Sequence, residues 1–533
     1  MLPSIFNDVI GPVMRGPSSS HCAAALRIGR LARDLMGGLP DTVLAEFDRA
    51  GSLPTTHTSQ GSDMGLFGGL LGWEASDARL PEGDQSLRDA GCSVTFATVD
   101  VGDPHPNTYR LTLTRGDTTH SLRAISTGGG MIEVIAIDDV PLSLHGDFHV
   151  SLFWSPTAAD AAALSQWLTE QLSETPPDTT EVCGETGQRL VVVRSRMPLP
   201  PGVVAGAVEQ GLATESRALV AVLPVLSGGT THAPFTTAEA LLASDAGRGL
   251  PLWKHAVAYE SARGGLSEAE VLAEMVRIVR ILKDSIDQGI AGTSYDDRVL
   301  PAQAPAYRAA LAEGRLVGDA TLNQIVLATT ALMEVKSSMG VIVAAPTAGA
   351  CAALPAAVIT IARQRDLDDE AMARGLLAAG LIGIFITSAW SFAAEVGGCQ
   401  AEGGSAAAMA AAAIVTLVEG PLEQALAAAA MALQSMLGLI CDPVANRVEV
   451  PCLGKNVMAA TNALASANMA LAGFAEVIPL DEVIAAAKAV SEQMPRELRC
   501  TALGGLAITP TSQAIEARLA LHQPSGCGGC HCS

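Results

Sequence analysis

"SEAEVLAEMVRIVRILKDSIDQGIAG", residues 267–292, decides how the chain divides. Its apolar residues, among them Val271, Met275, Ile278, Val279, Leu282 and Ile286, recur every three or four positions, which places them on one face of a long helix. Ala-rich helical patterns follow through about residue 490, so the C-terminal half reads as all-helical. Toward the N-terminus the pattern changes. "CSVTFATVDVG" (92–102), "TYRLTLTRG" (108–116) and "MIEVIAID" (131–138) alternate apolar and polar residues between Gly, Asp and Pro turns, as strands do. "FHVSLFWS", the helical "AADAAALSQWLTEQL" and "RLVVVRS" make a β-α-β stretch over residues 148–196. The fold class expected is α+β: a small N-terminal α/β domain over residues 1–150, a βαβ-like insert or linker over 151–250, a large all-helical domain over 251–515, and a flexible Cys-rich tail over 516–533.

With 533 residues the chain can bury a large core, and its few aromatics (4%) and 52 glycines require that core to be closely packed helices with small contact residues. A net charge of -22 argues against nucleic acid or anionic membrane surfaces as partners and leaves small molecules. The start "MLPSIFNDVIGPVMRGP" has no basic segment followed by a clean apolar one, so no signal peptide is expected. Eleven irregularly spaced cysteines do not resemble a disulfide framework, which points to a reducing, cytoplasmic setting. Residues 338–362 and 375–394 carry no charged side chain and are long enough to span a membrane. Their Ala, Gly, Ser and Thr content, and flanks without a Lys/Arg bias, suit helices buried on all sides instead, and no membrane partner is expected.

Three stretches carry candidate chemistry. In "GPSSSHCAAALRIGRLAR" (16–33), Ser18, Ser19, Ser20 and His21 precede an amphipathic helix. Serines there cap free N–H groups, yet three hydroxyls and an imidazole exceed what a cap requires, and a helix start attracts anions such as a carboxylate. In "KSSMGVIVAAPTAGA" (336–350), Pro346 and Gly349 break an apolar run and place Thr347 and backbone N–H groups where a ligand or a plain turn would sit. Cys399 enters an Ala-rich helix in "GGCQAEGGSAAAMAAAA", and Cys441 and Cys452 frame "CDPVANRVEVPC", whose "VEV" reads as extended. No short CxxC pair is present among these three, so spacing leaves open either buried thiols or an iron–sulfur cluster gathered from several loops.

Taken together these motifs resemble the iron–sulfur-dependent L-serine dehydratases (L-serine ammonia-lyases), with both family regions fused in one polypeptide. "GPSSSH", "GSLPTT…QGSD…GGLLG" and "STGGGMIE" carry the resemblance over residues 5–150; "SMGVIVAAPTAGA", "GCQAEGGSAAAMAAAA", "LICDPVANRVEVPCLGKN" and "TALGGLA" carry it over 270–510. Residues 150–250 match poorly. The resemblance implies that Cys399, Cys441 and Cys452 hold a [4Fe-4S] cluster whose fourth iron faces an amino acid substrate. It implies α,β-elimination of L-serine to pyruvate and ammonia, with His21, Ser19 and Ser20 in catalysis and Ser18, Gln60, Ser338, Thr347, Gly349 and Lys455 around the substrate. Small interface residues on a large helical domain favour a homodimer.

Three positions depart from the family pattern. Gln60 stands where a histidine is expected in "GHGTD", with His57 three residues earlier as a substitute; Lys455 replaces an arginine and cannot grip a carboxylate bidentately; Ala350 replaces a common serine. These bear on the substrate, and an L-cysteine desulfidase or a dehydratase of another β-hydroxy amino acid is the neighbouring alternative. A membrane transporter built from the Ala-rich helices, or a non-catalytic iron–sulfur sensor, is the alternative from another class. Cys527, Cys530 or Cys532 of the Gly-rich tail would be able to fold back onto the open iron.

Overall fold

The computed structural model describes residues 2–185, 189–228, 231–295 and 298–520. Residues 267–292 form the expected helix, Glu268–Ala291, started by a capping box: Ser267 Oγ accepts from Glu270 N and the Glu270 carboxylate accepts from Ser267 N. Its apolar stripe is buried against the helices Ala320–Ser337 and Asp369–Ala389. The centre of the helical half is nearly all alanine: Ser405–Leu417 lies among Ala353–Gln364, Asp369–Ala389, Leu422–Gln434 and Cys452–Leu471. Small side chains let the axes approach closely. A Cβ on Gly289 would stand 2.3 Å from Ala331 O of the neighbouring helix.

Among the described helices, Asp369–Ala389 alone is long and apolar enough to cross a membrane, and 78% of its apolar window is buried inside the protein. Part of what covers it is the N-terminal segment. Ile5 and Val9 press into the notches left by Gly380 and Gly383, where an added Cβ would lie 2.5 Å from Ile5 Cγ2 and 2.1 Å from Val9 Cγ1. Buried Glu260 holds that segment in place, accepting from Ser4 Oγ (2.5 Å) and Ile5 N (2.7 Å).

The three strand-like stretches become Ser93–Val99, Thr108–Arg115 and Met131–Ile137, members of a six-stranded sheet ordered Ser93–Val99, Thr42–Asp48, Thr108–Arg115, Thr118–Gly128, Met131–Ile137, Val140–Leu144. Only its first pair is parallel. The helices Ala24–Leu35 and Ser62–Leu70 pack with this sheet in one core and cross each other at Gly29 and Gly69. Residues 149–219 extend the expected β-α-β stretch into βαββαβ, with its four strands antiparallel and ordered Glu215–Leu219, His149–Ser155, Arg189–Ser195, Thr179–Cys183. Leu190 and Val192 face the larger sheet's core, while Val191 and Val193 face the helices Ala158–Gln171 and Pro201–Glu209. Burial on both faces is why "RLVVVRS" does not alternate.

Two readings differ in detail. Residues 448–450, expected as extended, form a turn, because Ala445 and Asn446 adopt left-handed conformations (φ 50° and 55°) and Val444 N closes onto Val450 O at 2.7 Å. Residues 516–520, expected within the flexible tail, complete the helix Pro510–Ala520, whose Leu519 packs on Val444 and Ala445.

Close helix contact at Gly289 predicts that Gly289→Ala destabilises the fold by about 1–3 kcal/mol, since a backbone carbonyl cannot step aside. Gly202→Ala, with nothing within 4 Å of the new methyl, is expected to be neutral or to stabilise by up to about 1 kcal/mol. Urea denaturation of both variants checks the contrast, and equal midpoints would refute the packing argument.

Candidate active site

A two-residue strand places the N-terminal motif beside the helical half. Val13 pairs with Val343 and Met14 with Ile342, antiparallel, bridging the two halves of the chain. Gly11 N donates to Ala344 O (2.9 Å) and Ala344 N to Pro12 O (3.1 Å), so "GPSSSH" and "PTAGA" run out of the same junction. The serines follow in a π-helical turn, Ser19–Ala23, that opens the helix Ala24–Leu35. Ser18 makes no capping bond. Its hydroxyl meets His21 Nδ1 at 3.0 Å, and Ser19 Oγ accepts from Ala348 N at 3.1 Å. These hydroxyls serve contacts other than a cap.

His21 is fully buried, and burial pushes its pKa down to about 3, with His57 adding in the same direction; the ring is neutral. Thr56 Oγ1 donates to Ser52 O (2.7 Å), so it must accept from His21 Nε2 (2.8 Å), which therefore carries the ring proton. Nδ1 is left as an acceptor toward the Ser18 hydroxyl, with Glu395 Oε1 at 3.5 Å. This chain of groups borders a cavity lined by Ser18, Ser20, Gln60, Gly349, Glu395, Glu402, Cys441, Cys452 and Cys500 among others.

Cys399 precedes a second π-helical turn, Gln400–Gly404, which leads into Ser405–Leu417. Cys441 sits in a loop and Cys452 is the first residue of Cys452–Leu471. All three thiols are buried. Contacts with the thiols of Cys399 and Cys500, together with burial, push Cys441 well above the usual thiol range. Burial also raises Cys452, with the Cys399 charge adding to it. Lys455 faces this group: Nζ donates to Asp442 Oδ1 and Ile440 O (both 2.7 Å) and lies 3.7 Å from Cys399 Sγ. Burial lowers its pKa, yet Cys399 and Asp442 outweigh that and hold it above the usual lysine value.

Among the described residues no set of three or more His, Cys, Asp or Glu converges tightly enough for a single metal ion. A cluster asks for a different layout, since each thiolate meets its own iron and the ligands come from separate loops. Soft donors buried together, with a lysine ammonium to offset thiolate charge and donate to sulfur, fit such a cluster.

Three groups escaped the sequence reading: Cys500, Glu395 and Glu402. Glu402 accepts from Thr347 Oγ1 (2.6 Å), and burial raises its pKa. It stands so near Gly349 that a Cβ there would meet Oε1 at 2.7 Å. Lys336 is fully buried, donates to Val448 O, and is lowered by burial. Glu395 Oε2 and the Asn107 amide approach each other without a hydrogen bond of ordinary geometry, leaving a buried acceptor open. Glu395 and Glu402 sit in the quoted motif stretch and beside it, but nothing in residue spacing singles them out.

Gln60 lines the cavity, donating to Asn446 Oδ1 at 3.0 Å. His57 does not line it: its ring bonds Asp63 (2.6 Å) and stacks on Phe96. Ser338 ends the helix Ala320–Ser337, with its hydroxyl on Val335 O, and is not among the lining residues. Cys527, Cys530 and Cys532 lie outside the described residues.

A family model described as "Serine dehydratase alpha chain" matches residues 247–507. Over 253 residues the chain is 37% identical to the probable L-serine dehydratase alpha chain of Bacillus subtilis, covering 48% of this chain and 84% of that protein. Over 270 residues it is 36% identical to the L-serine dehydratase alpha chain of Peptoniphilus asaccharolyticus, 50% of this chain and 92% of the relative. The chain belongs to the serine dehydratase alpha-chain family. It is also 40% identical over 144 residues to the probable L-serine dehydratase beta chain of Bacillus subtilis, 27% of this chain and 64% of that one, as a fused single-chain member of the family would be.

Burial, with Glu402 adding to it, raises Glu395 from the ordinary 4.5 to about 7. The folded metal-free chain therefore binds this proton more tightly than the unfolded chain. The associated stability is complete below about 4.5 and is lost as pH rises through about 7. Glu395→Gln keeps the shape and removes the titration, so it should flatten that part of the profile. Urea denaturation of metal-free protein between about pH 5 and 8 tests this; parallel profiles for the two chains would count against it.

Proposed function

We propose that the chain is an L-serine ammonia-lyase that eliminates water from L-serine with a [4Fe-4S] cluster held by Cys399, Cys441 and Cys452. The observation that carries this reading is the meeting of buried thiols with a serine–histidine–threonine chain across one cavity, in a member of the serine dehydratase family. When bound, the cluster would supply a Lewis acid for the substrate hydroxyl, a poor leaving group by itself.

The chain's own residues account for the rest. The hydroxyls of Ser18 and Ser20 face the substrate, and Ser18 is polarised by donating to His21 Nδ1. Removal of the Cα proton passes through Ser18 to His21 Nδ1, where Glu395 stands ready to balance the imidazolium. Glu395 Oε2, lacking a partner, and Glu402 offer acceptors for the substrate ammonium group. Lys455 and the backbone N–H groups after Pro346 place positive potential where a carboxylate needs it. Loss of the proton and of hydroxide leaves aminoacrylate, which tautomerises to the imine; water then releases pyruvate and ammonia. Burial of the cavity walls keeps bulk water from the Cα proton-transfer path. A small amino acid is the partner, and a reducing, cytoplasmic setting is the one in which such a cluster survives.

Protein purified without oxygen and reconstituted with iron and sulfide should release pyruvate from L-serine, and an aliquot exposed to air should lose that activity. His21→Ala and Ser18→Ala are expected to lower kcat by about 10²–10⁴-fold with iron content unchanged. Cys399→Ser, Cys441→Ser and Cys452→Ser should each lower iron per chain. A colourless, inactive wild-type protein would overturn the thiol assignment. A brown protein that releases sulfide from L-cysteine and no pyruvate from L-serine would overturn the substrate.

A further inference from the structure

We propose that the cavity between the N-terminal segment, the helix Ala24–Leu35 and the helix Glu268–Ala291 binds a small organic monocarboxylate, with Arg27 and Arg277 holding the carboxylate and apolar walls enclosing the rest. The cavity measures about 410 Å³. Its charged lining is Arg27, Arg30, Glu74, Glu274 and Arg277. It shares no lining residue with the cavity of the serines and thiols, so it is a separate site.

Arg27 is the group that calls for an anion. It is only 5% exposed, and its Nη1 donates to Gly130 O at 2.6 Å, with Met131 Sδ at 3.5 Å. Among the described residues its Nε and Nη2 make no hydrogen bond and it forms no ion pair. Asp8 acts on it from a distance, and Asp8 Oδ2 is itself taken by Ser4 N at 2.8 Å. Burial lowers the Arg27 pKa to about 10. A guanidinium buried without a close counter-charge is costly, and one that faces a cavity is relieved by an anion that enters it.

The other charges in the lining set the valence of that anion. Arg30 Nη1 donates to Glu74 Oε1 at 2.7 Å, and Arg277 Nε and Nη2 donate to the two Glu274 oxygens at 2.9 and 2.6 Å. Three guanidinium groups against two carboxylates leave one positive charge. A singly charged anion brings the lining to neutrality, whereas a zwitterion leaves Arg27 unbalanced and a dianion overshoots. Phe6, Ile10, Leu26, Val222 and Ile278 add apolar wall that an inorganic ion leaves unfilled and a short hydrocarbon body covers. These walls are held by the chain itself. Val222 N and Leu223 N both donate to Gly146 O (2.8 and 3.1 Å), Asn7 Nδ2 donates to Val225 O (2.7 Å) while Asn7 Oδ1 accepts from Val225 N (3.0 Å), and Arg15 N donates to Ala75 O (2.8 Å). Gly11, Pro12 and Val13, which lead into the serine turn, form another part of the lining, so an occupant also braces the junction of the two halves.

Calorimetric titration of the full-length chain, purified without oxygen and held at constant ionic strength, tests the site with three probes: isovalerate, L-valine (the same skeleton with an ammonium group) and inorganic phosphate. Isovalerate should bind saturably, one per chain, and more tightly than either of the others. Arg27→Gln and Arg277→Ala should each weaken it by about 10-fold or more, as the loss of a charge-assisted hydrogen bond does. The Arg277 side chain is 54% exposed, so Arg277→Ala decides the question even where Arg27→Gln fails to fold. No saturable heat with isovalerate, an unchanged Kd in the folded variants, or tighter binding of L-valine or phosphate would each overturn the site as assigned.

Discussion

Two backbone pairs, Val13 with Val343 and Met14 with Ile342, join the segment that carries the serine turn to the one that carries "PTAGA". They are short, but Met14, Ile342 and Val343 are buried and Val13 is half-buried, and a ladder bond closed away from water is costly to leave unmade. Once they form, the serine turn and the "PTAGA" loop leave one junction together, and Ser19 Oγ can accept from Ala348 N. The N-terminal segment before them is held by Glu260 and by the notches at Gly380 and Gly383, so the register of the strand is set by packing on both sides. The junction brings the two halves together at the candidate site.

Small residues do the complementary work. Alanine and glycine on facing helices let the axes approach, so loops at the helix ends, not side chains in the middle, meet at the cavity. The two π-helical turns, Ser19–Ala23 and Gln400–Gly404, each lie at such an end and each carry part of the site. An extra residue in a helical turn widens it and re-aims its side chains, a geometry that recurs at functional sites. Close packing also excludes water. That is why His21 is held neutral, Glu395 and Glu402 are pushed up, and Lys336 down, each by the same desolvation.

Much of the fold was legible before the structure. The helix at 268–291, the strands at 93–99, 108–115 and 131–137, and the elements of the β-α-β stretch announce themselves through period and turn residues. Where the reading slipped, tertiary contact had overridden local pattern. The "VEV" turn follows from left-handed Ala445 and Asn446, and residues 516–520 are helical because Leu519 finds Val444 and Ala445. Of the candidate site, Ser18, Ser20, Gln60, Gly349, Cys441 and Cys452 were named from motifs and share one cavity, whereas Ser19, His21, Ser338, Thr347, Cys399 and Lys455 stand outside its lining. His57, considered in place of the missing histidine, is taken by Asp63 and Phe96.

By itself the sequence determined which segments are helix and which strand, and which short motifs bear hydroxyls and thiols, because periodicity and turn chemistry are local properties of the chain. Only the tertiary structure decided that Cys500 stands beside Cys441, that Glu395 faces His21, and that Thr56 fixes the imidazole tautomer. Those partners lie tens to hundreds of residues apart. Contacts at such separations are chosen by which loops the packed alanine core brings together, and no window of sequence contains that information.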